Sequence, residues 1–290
     1  MRQINENLFE LAPSVFASVF PEYDDLGNGG IIVTEDGVIL IDTDVRTVDR
    51  ISAMIRRLTD KPLKFLINTH HAFDHSSANC IFAAQGVTII GSQSCREAML
   101  AHGELNFRRW TDRVPGVGKI LKEKAIRVAP PHLTFDREMR LYLGEKTIQL
   151  FHYGHAHSPG DIFIYLPEDQ VLFAGDLLWV GFFPNVREAN VPNQIKVVDR
   201  ILSLPVRYYV PGHGGITADR GEIVKMRQFL SALYELIQTM VKEGNTFEEI
   251  KAREESLAAP HQEWRGRNFL TTAVEVIYLS LTCYNRDSAL

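Results

Sequence analysis

At 290 residues, 45% apolar and 23% charged, the chain is long enough to bury a full core, as one large domain or two small ones. A formal charge of −5 gives no reason to expect nucleic acid or an anionic membrane as partner. The start, Met1 to Asn7, has no apolar signal core, and no stretch approaches the roughly eighteen apolar residues of a membrane span. Cys80, Cys95 and Cys283 are odd in number and widely spaced, which excludes a disulfide framework and predicts buried free thiols in a reducing compartment. A soluble cytoplasmic protein acting on a small molecule is the expectation, with homo-oligomerisation left open.

A first strand is predicted at Val15–Phe20, followed by a flexible Gly27-Asn28-Gly29-Gly30. Ile31–Val33 and Val38–Ile41 flank Glu35-Asp36-Gly37, where Asp-Gly marks a hairpin turn. The second strand runs into Asp42-Thr43-Asp44. Val48, Ile51, Met54, Ile55 and Leu58 then form one helical stripe. A strand at Leu63–Ile67 leads into a histidine cluster, then a short helix near Ser77–Ala84, a strand at Val87–Ile90 and a helix from Ser92 to His102. Gly103 to Pro131 lacks clear periodicity and reads as an excursion across a face of the domain.

The second part repeats this logic. Met139–Leu143 and Thr147–His152 flank Gly144-Glu145-Lys146 as another hairpin, and Asp161–Leu166 and Val171–Ala174 are short apolar strands. Helical spacing covers Gln194–Leu204, and Arg207–Val210 is a last strand. Three helical segments follow from Glu222 to Leu290, with breaks near Gly244-Asn245 and Ala259-Pro260. Strand-rich and helical stretches alternate twice, which predicts a layered α/β architecture with its site at strand ends. The expected division is a main domain over residues 1–220 and a helical C-terminal extension, 221–290, packed on it.

The chemistry gathers at four of these strand ends. Asn68-Thr69-His70-His71-Ala72-Phe73-Asp74-His75 packs three histidines and a carboxylate into six residues. Gly154-His155-Ala156-His157, Ala174-Gly175-Asp176 and Gly212-His213-Gly214 each place His or Asp beside glycine after an apolar run. Imidazole and carboxylate together suit zinc, iron or manganese.

In combination and order, these motifs resemble the metallo-β-lactamase-fold hydrolase superfamily, whose signature is H-x-H-x-D-H followed by separated His, Asp and His ligands. The resemblance covers about Gly27 to Gly215. It implies an αββα sandwich with metals at one edge of the two sheets. It further implies a first metal held by His70 and His157, and a second held by Asp74, His75 and His213. Asp176 would bridge the two, with Asp74 and Asp176 as the catalytic carboxylates. Asp42 matches the acidic position that supports the ligand loop, though a helix N-cap is a compatible role for it.

The chain departs from the pattern at Ala72, where the second histidine of the motif belongs; the extra histidine sits one place earlier, at His71. His71 and His155 are candidates for an auxiliary ligand or a substrate-facing group. His70, His157 and Asp176 still form a two-histidine, one-carboxylate set, enough for catalytic zinc and also for a non-haem iron centre. Three functions therefore stay open. The first is a metal-dependent hydrolase, zinc-dependent by expectation, acting on a small ester, lactone, thioester or amide. The second is a mononuclear iron-dependent dioxygenase resembling persulfide dioxygenases, and the third a degenerate non-catalytic member. Phe73, Tyr153, Trp179, Phe182 and Phe183 lie close in sequence to the ligands and are expected to wall a partly apolar pocket. Arg108, Arg109 and Trp110 are read either as part of a lid over an anionic group or as a solvated turn.

Overall fold

The computed structural model describes the backbone of residues 1–287 and the side chains of residues 1–282. Two mixed sheets lie face to face. The first has eight strands in sequence order: β1 (Arg2–Asn5), β2 (Leu8–Ala12), β3 (Val15–Ser18), β4 (Gly29–Val33), β5 (Val38–Ile41), β6 (Leu63–Ile67), β7 (Thr88–Ser92) and β8 (Leu133–Phe135). It is antiparallel through β5 and parallel from β5 to β8. The second sheet has the order β13-β12-β11-β10-β9, formed by Glu138–Leu143, Lys146–Phe151, Phe163–Leu166, Val171–Val180 and Tyr208–Gly214 as β9 to β13. Only β12 and β13 pair in parallel there.

Alternation along the strands makes four layers from these two sheets. In β4 and β5, Ile32, Ile39 and Ile41 join Ile67 and Ile90 in facing Ile148, Leu150, Ile164 and Phe173 of the other sheet. Their neighbours Ile31, Val38 and Leu40 point the opposite way, onto Val48, Ile51 and Ile55 of helix α1 (Val48–Leu58). In the second sheet Phe163, Tyr165 and Leu172 turn outward to helices α6 (Val191–Ser203) and α7 (Arg220–Lys242). The result is the expected αββα sandwich. A buried Ile or Leu contributes roughly 1.5–3 kcal/mol, so the inter-sheet core fixes the spacing of the strand ends that carry the site.

Two boundaries differ from the sequence expectation in ways that matter for the site. Helix α4 runs from Gln93 to Arg113, well past His102, and α5 (Val117–Glu123) follows. Beyond His102 the apolar positions thin to Phe107 and Trp110, which pack on the first sheet's helical layer, while Asn106, Arg109 and Arg113 border a cavity. Strand β12 continues through Asp176 to Val180, kinked by register shifts on either side of Gly175. Gly29 and Gly30 belong to β4 rather than to a flexible loop, and β1 and β2 add an N-terminal ribbon that the sequence pattern did not mark.

After α7 come α8 (Phe247–Lys251), α9 (Glu254–Ala258) and α10 (Arg267–Asp287). Leu270, Ala273 and Ile277 of α10 share one apolar cluster with Leu172, Ala174 and Leu178 of β12. Between β6 and β7 come α2 (Phe73–Ser76), which carries Asp74 and His75 of the histidine cluster, and α3 (Asn79–Ala83). Cys80 and Cys95 are buried free thiols, whereas the side chain of Cys283 lies outside the described residues. Among the described residues no helix is long and apolar enough to cross a membrane.

Candidate metal centre

Six residues predicted as ligands converge at one edge of the sandwich, all buried: His70, Asp74, His75, His157, Asp176 and His213. Backbone turns deliver them. His70 follows β6, Asp74 and His75 sit on the single turn α2, Asp176 lies within β12 and His213 lies within β13. The loop after β6 is braced by Asn68, whose side-chain amide donates to the His75 carbonyl at 3.1 Å and pairs with Asn79. Two glycines are required by close approach. Gly175 has φ +52, and a Cβ there would lie 2.5 Å from Thr69 Oγ1. A Cβ on Gly212 would lie 1.9 Å from Asp176 Oδ1, so no side chain fits beneath that carboxylate.

Asp176 presents its two oxygens to different partners. Oδ2 lies 3.4 Å from His157 Nε2 and 3.8 Å from His70 Nε2. Oδ1 lies 3.2 Å from His75 Nε2 and 3.4 Å from His213 Nε2. Asp74 Oδ2 completes the second group, at 3.2 Å from His213 Nε2 and 3.4 Å from His75 Nε2. His70, His75 and Asp176 form one tight set of donor atoms, and Asp74, His75 and His213 another, each within 4.8 Å of one another; His157 belongs to neither and reaches only Asp176.

The outer nitrogens fix which ring atom faces inward. His75 Nδ1 donates to Asp42 Oδ2 at 2.8 Å, and His157 Nδ1 donates to the Asn185 carbonyl at 2.9 Å. His70 Nδ1 stands 3.2 Å from Thr69 Oγ1, which itself donates to Asp42 at 2.6 Å. Each Nε2 is thereby left with its lone pair toward the centre, the arrangement that metal-binding imidazoles need. Asp42 also accepts the Thr69 amide at 2.7 Å and holds a left-handed backbone at φ +54. It supports the ligand loop and caps no helix, since the residue before α1 is Thr47.

The donor set fits a divalent cation. His70 Nε2, His75 Nε2 and Asp176 Oδ1 are buried without a hydrogen-bond partner, although oxygens and nitrogens stand within contact of each other. An unsatisfied buried polar group costs about 1–3 kcal/mol, and a shared cation is the partner that satisfies all three. The electrostatics agree. Burial, reinforced by the His75 imidazole, holds His70 well below the ordinary histidine range. Burial alone would raise the carboxyls of Asp74 and Asp176, but the imidazoles of His75 and His213 outweigh it and hold both below the usual carboxylate range. Ionised carboxylates and a neutral His70 are ligating forms, whereas the carboxylates of Asp74, Asp176 and Asp42 overcome burial and hold His75 well above the ordinary histidine range, a proton that a bound cation would displace.

The remaining predicted residues separate. Phe73 and Trp179 border the cavity above the centre, about 320 Å³ in volume. Phe73 stacks on Trp110 at 4.8 Å between ring centroids. Trp179 stacks on His213 at 4.1 Å and donates its indole N–H to the Asp176 carbonyl at 3.0 Å, which makes it a support for two ligands as well as a wall. Tyr153, Phe182 and Phe183 are not in this cavity. Tyr153 stacks on Phe151 and donates to Glu138, Phe182 lies under the Arg265 guanidinium, and Phe183 packs between Phe229 and Trp264. Proximity in sequence misled here, because the turn after β12 sends Phe182 and Phe183 into the helical layer and Tyr153, after β10, packs on Phe151 and Phe163. Arg109 and Trp110 border the cavity, whereas Arg108 does not.

His155 is exposed and outside the centre, its Nε2 bonded to the Glu188 carbonyl, next to a separate cleft between α6 and α7. His71 borders the cavity, but its Nε2 faces Glu188 Oε2 at 3.3 Å rather than the ligand cluster. The His71 hydrogen bond draws the Glu188 carboxyl down to about 2. Glu188, Asn185, Arg113, Arg187 and Phe269 were invisible as site residues in the sequence. They come from segments with no ligand motif, and only tertiary packing brings them to the cavity.

The metallo-beta-lactamase superfamily model matches residues 23–213. The chain is 22% identical over 256 residues to the linear primary-alkylsulfatase of Pseudomonas sp. (strain ATCC 19151), covering 76% of this chain and 48% of that one. It is 29% identical over 100 residues to the metallo-beta-lactamase type 2 of Bacteroides fragilis, covering 33% of this chain and 39% of that one. The chain thus spans about half or less of the curated relatives it matches. Among solved structures, a metallo-beta-lactamase from Pontibacter korlensis aligns with a TM-score of 0.61 at 19% identity, over 77% of this chain and 98% of that one. The DIM-1 metallo-beta-lactamase exposed to ceftazidime aligns with a TM-score of 0.59 at 18% identity, over 78% and 96%. At such identities these likenesses speak for the fold.

Proposed function

The chain belongs to the metallo-beta-lactamase superfamily, and from that premise we propose that it is a metal-dependent hydrolase of a small ester, lactone, thioester or amide. His70 and His157 would hold one ion, Asp74, His75 and His213 the other, with Asp176 shared. The observation that carries this reading is the division of Asp176, whose Oδ2 faces one imidazole pair and Oδ1 the other. Zinc is the proposed metal, since a set of neutral imidazoles and carboxylates with room for water is its usual catalytic environment.

A divalent ion held there would lower the pKa of a water from near 16 to about 7 and stabilise the charge developing on the carbonyl oxygen. The protein's own groups do the rest. Asp74, ionised and held by His75 and His213, orients the attacking water and accepts its proton. The new carbon–oxygen bond forms as the bond to the leaving group breaks, and the proton held at Asp74 passes to the leaving atom. An ester plus water thus gives an acid plus an alcohol. Phe73 and Trp110 on one side and Trp179 on the other exclude bulk water from the cavity, whose volume suits a small molecule. The buried, unpaired cysteines keep the cytoplasm as the proposed compartment.

The experiment is to strip metal with a chelator, re-add zinc, iron or manganese separately, and follow a panel of 4-nitrophenyl esters, thioesters and lactones. Turnover restored by zinc supports the proposal. A second reading rests on Ala72. It leaves His70, His157 and Asp176 as a two-histidine, one-carboxylate set, the ligand pattern of iron oxygenases. Oxygen uptake restored by iron alone, without hydrolysis, would replace the hydrolase with that reading. No turnover with any metal would mark the chain as a non-catalytic member.

A further inference from the structure

We propose that the substrate carries an oxyanion, carboxylate or sulfate, set apart from the scissile bond by an apolar spacer. Helix α4 and the loop before α6 would read it. This rests on the hydrolase reading and names the class of substrate within it.

The observation is a charge imbalance at the cavity mouth. Asp25 pairs with Arg46 at 2.7 Å, Asp24 with Arg265, and Glu188 with His71. Asp74 and Asp176 are committed to the histidines. Arg109, Arg113 and Arg187 border the same cavity, are exposed, and have no ion-pair partner among the described residues. The acidic groups are therefore already matched, while three guanidiniums around the mouth are not.

The arrangement on α4 is periodic. Asn106, Arg109, Trp110 and Arg113 follow the i, i+3, i+4, i+7 spacing of one helix face, and all four border the cavity. This face, beside the one by which Phe107 packs on the core, carries two cations and an amide around Trp110. The Arg113 guanidinium lies 4.2 Å from the Trp110 ring centroid, and Trp110 in turn stacks on Phe73 at 4.8 Å. Stacking limits the freedom of the Arg113 head and keeps its N–H donors available at their edge, ready to grip a planar oxyanion. Phe73 and Trp110 line the cavity from the side of α1 and α4, and Trp179 and Phe269 from the side of α7 and α10. A molecule held between these aromatic pairs has the guanidiniums and the proposed metal ligands in the same cavity.

The test uses the metal-loaded full chain. The kcat/KM is measured for 4-nitrophenyl butyrate and for the mono-4-nitrophenyl ester of glutaric acid, whose free carboxylate sits at the far end of a short chain. Calorimetry compares 4-phenylbutyrate and 4-phenylbutane-1-sulfonate with the uncharged 4-phenylbutan-1-ol. The wild type should prefer the anionic ester and bind one or both anions more tightly than the alcohol, and whichever binds tighter identifies carboxylate or sulfate. In Arg109→Gln/Arg113→Gln/Arg187→Gln that preference should fall at least about tenfold, the scale of charge-assisted hydrogen bonds. Arg109→Lys/Arg113→Lys/Arg187→Lys should restore part of it, and raised salt should weaken it in the wild type. Equal binding of anion and alcohol would overturn the inference. So would an anion preference that survives in the glutamine variant, since the anion would then be held by the metal. If no ester turns over but the anions still bind in an arginine-dependent way, the hydrolase reading fails while the oxyanion site stands.

Discussion

In the half of the centre formed by Asp74, His75 and His213, the proposed ligands are three and their supports are strong. His75 leans on the buried Asp42 carboxylate at 2.8 Å, and His213 is stacked flat on Trp179 at 4.1 Å. The half formed by His70 and His157 has two ligands beside the shared Asp176, supported by a threonine hydroxyl and a backbone carbonyl. Ala72 borders the cavity where the family pattern has a third histidine, and His71 turns to Glu188 instead. The same loop thus builds one complete and one incomplete half. The difference teaches that the two halves should fill in order, the Asp74 half first, with catalysis limited by occupancy of the other.

The most severe way to break this picture is at the shared ligand. Asp176→Ala should reduce ester turnover by more than the about 10–100-fold typical of losing a mere supporting partner, and should lower metal content in both halves, read by mass spectrometry. Turnover close to wild type would refute the division of Asp176 between the two. Asp42→Asn comes next. It keeps the shape but loses the charge behind His75, so metal affinity of the complete half should fall about 10–100-fold in a competition titration with a chromogenic chelator. An unchanged affinity would mean that Asp42 serves only the fold.

Ala72→His sharpens the comparison by adding what the weaker half lacks. The gap between the first and second binding constants should narrow, measured by the same chelator titration; a gap left as wide would show that the new ring cannot reach the ion. The smallest effect is expected for Trp179→Phe. It retains an aromatic face for His213 but removes the indole N–H from the Asp176 carbonyl, a neutral hydrogen bond worth about 1 kcal/mol. A drop of several-fold in turnover with a small loss in denaturant midpoint is predicted.

How far the sequence reveals this depends on where the signal lies. Strands β4 to β7 and the ligand motifs are legible because period-two apolar runs and His-Asp spacing are local features. Asp42 was legible too, as a carboxylate ending a strand. By contrast, the continuation of α4 to Arg113 was hidden because its apolar positions thin to Phe107 and Trp110 while Asn106, Arg109 and Arg113 line a cavity. Tyr153, Phe182 and Phe183 were misplaced because nearness along the chain does not say which face of the sandwich a side chain takes. Whether His71 stands in for the histidine missing at Ala72 is not legible in the sequence, since its direction is set by Glu188. Its partner Glu188 lies 117 positions away, a pairing that only the folded chain brings about.

The most direct test is the metal content of chain purified with and without air, read by mass spectrometry beside ester turnover during stepwise zinc addition to metal-free protein. The account predicts that the first equivalent binds tightly with little turnover. Turnover should then rise as the second equivalent fills the His70–His157 half. A single iron per chain with oxygen uptake and no ester turnover would contradict it.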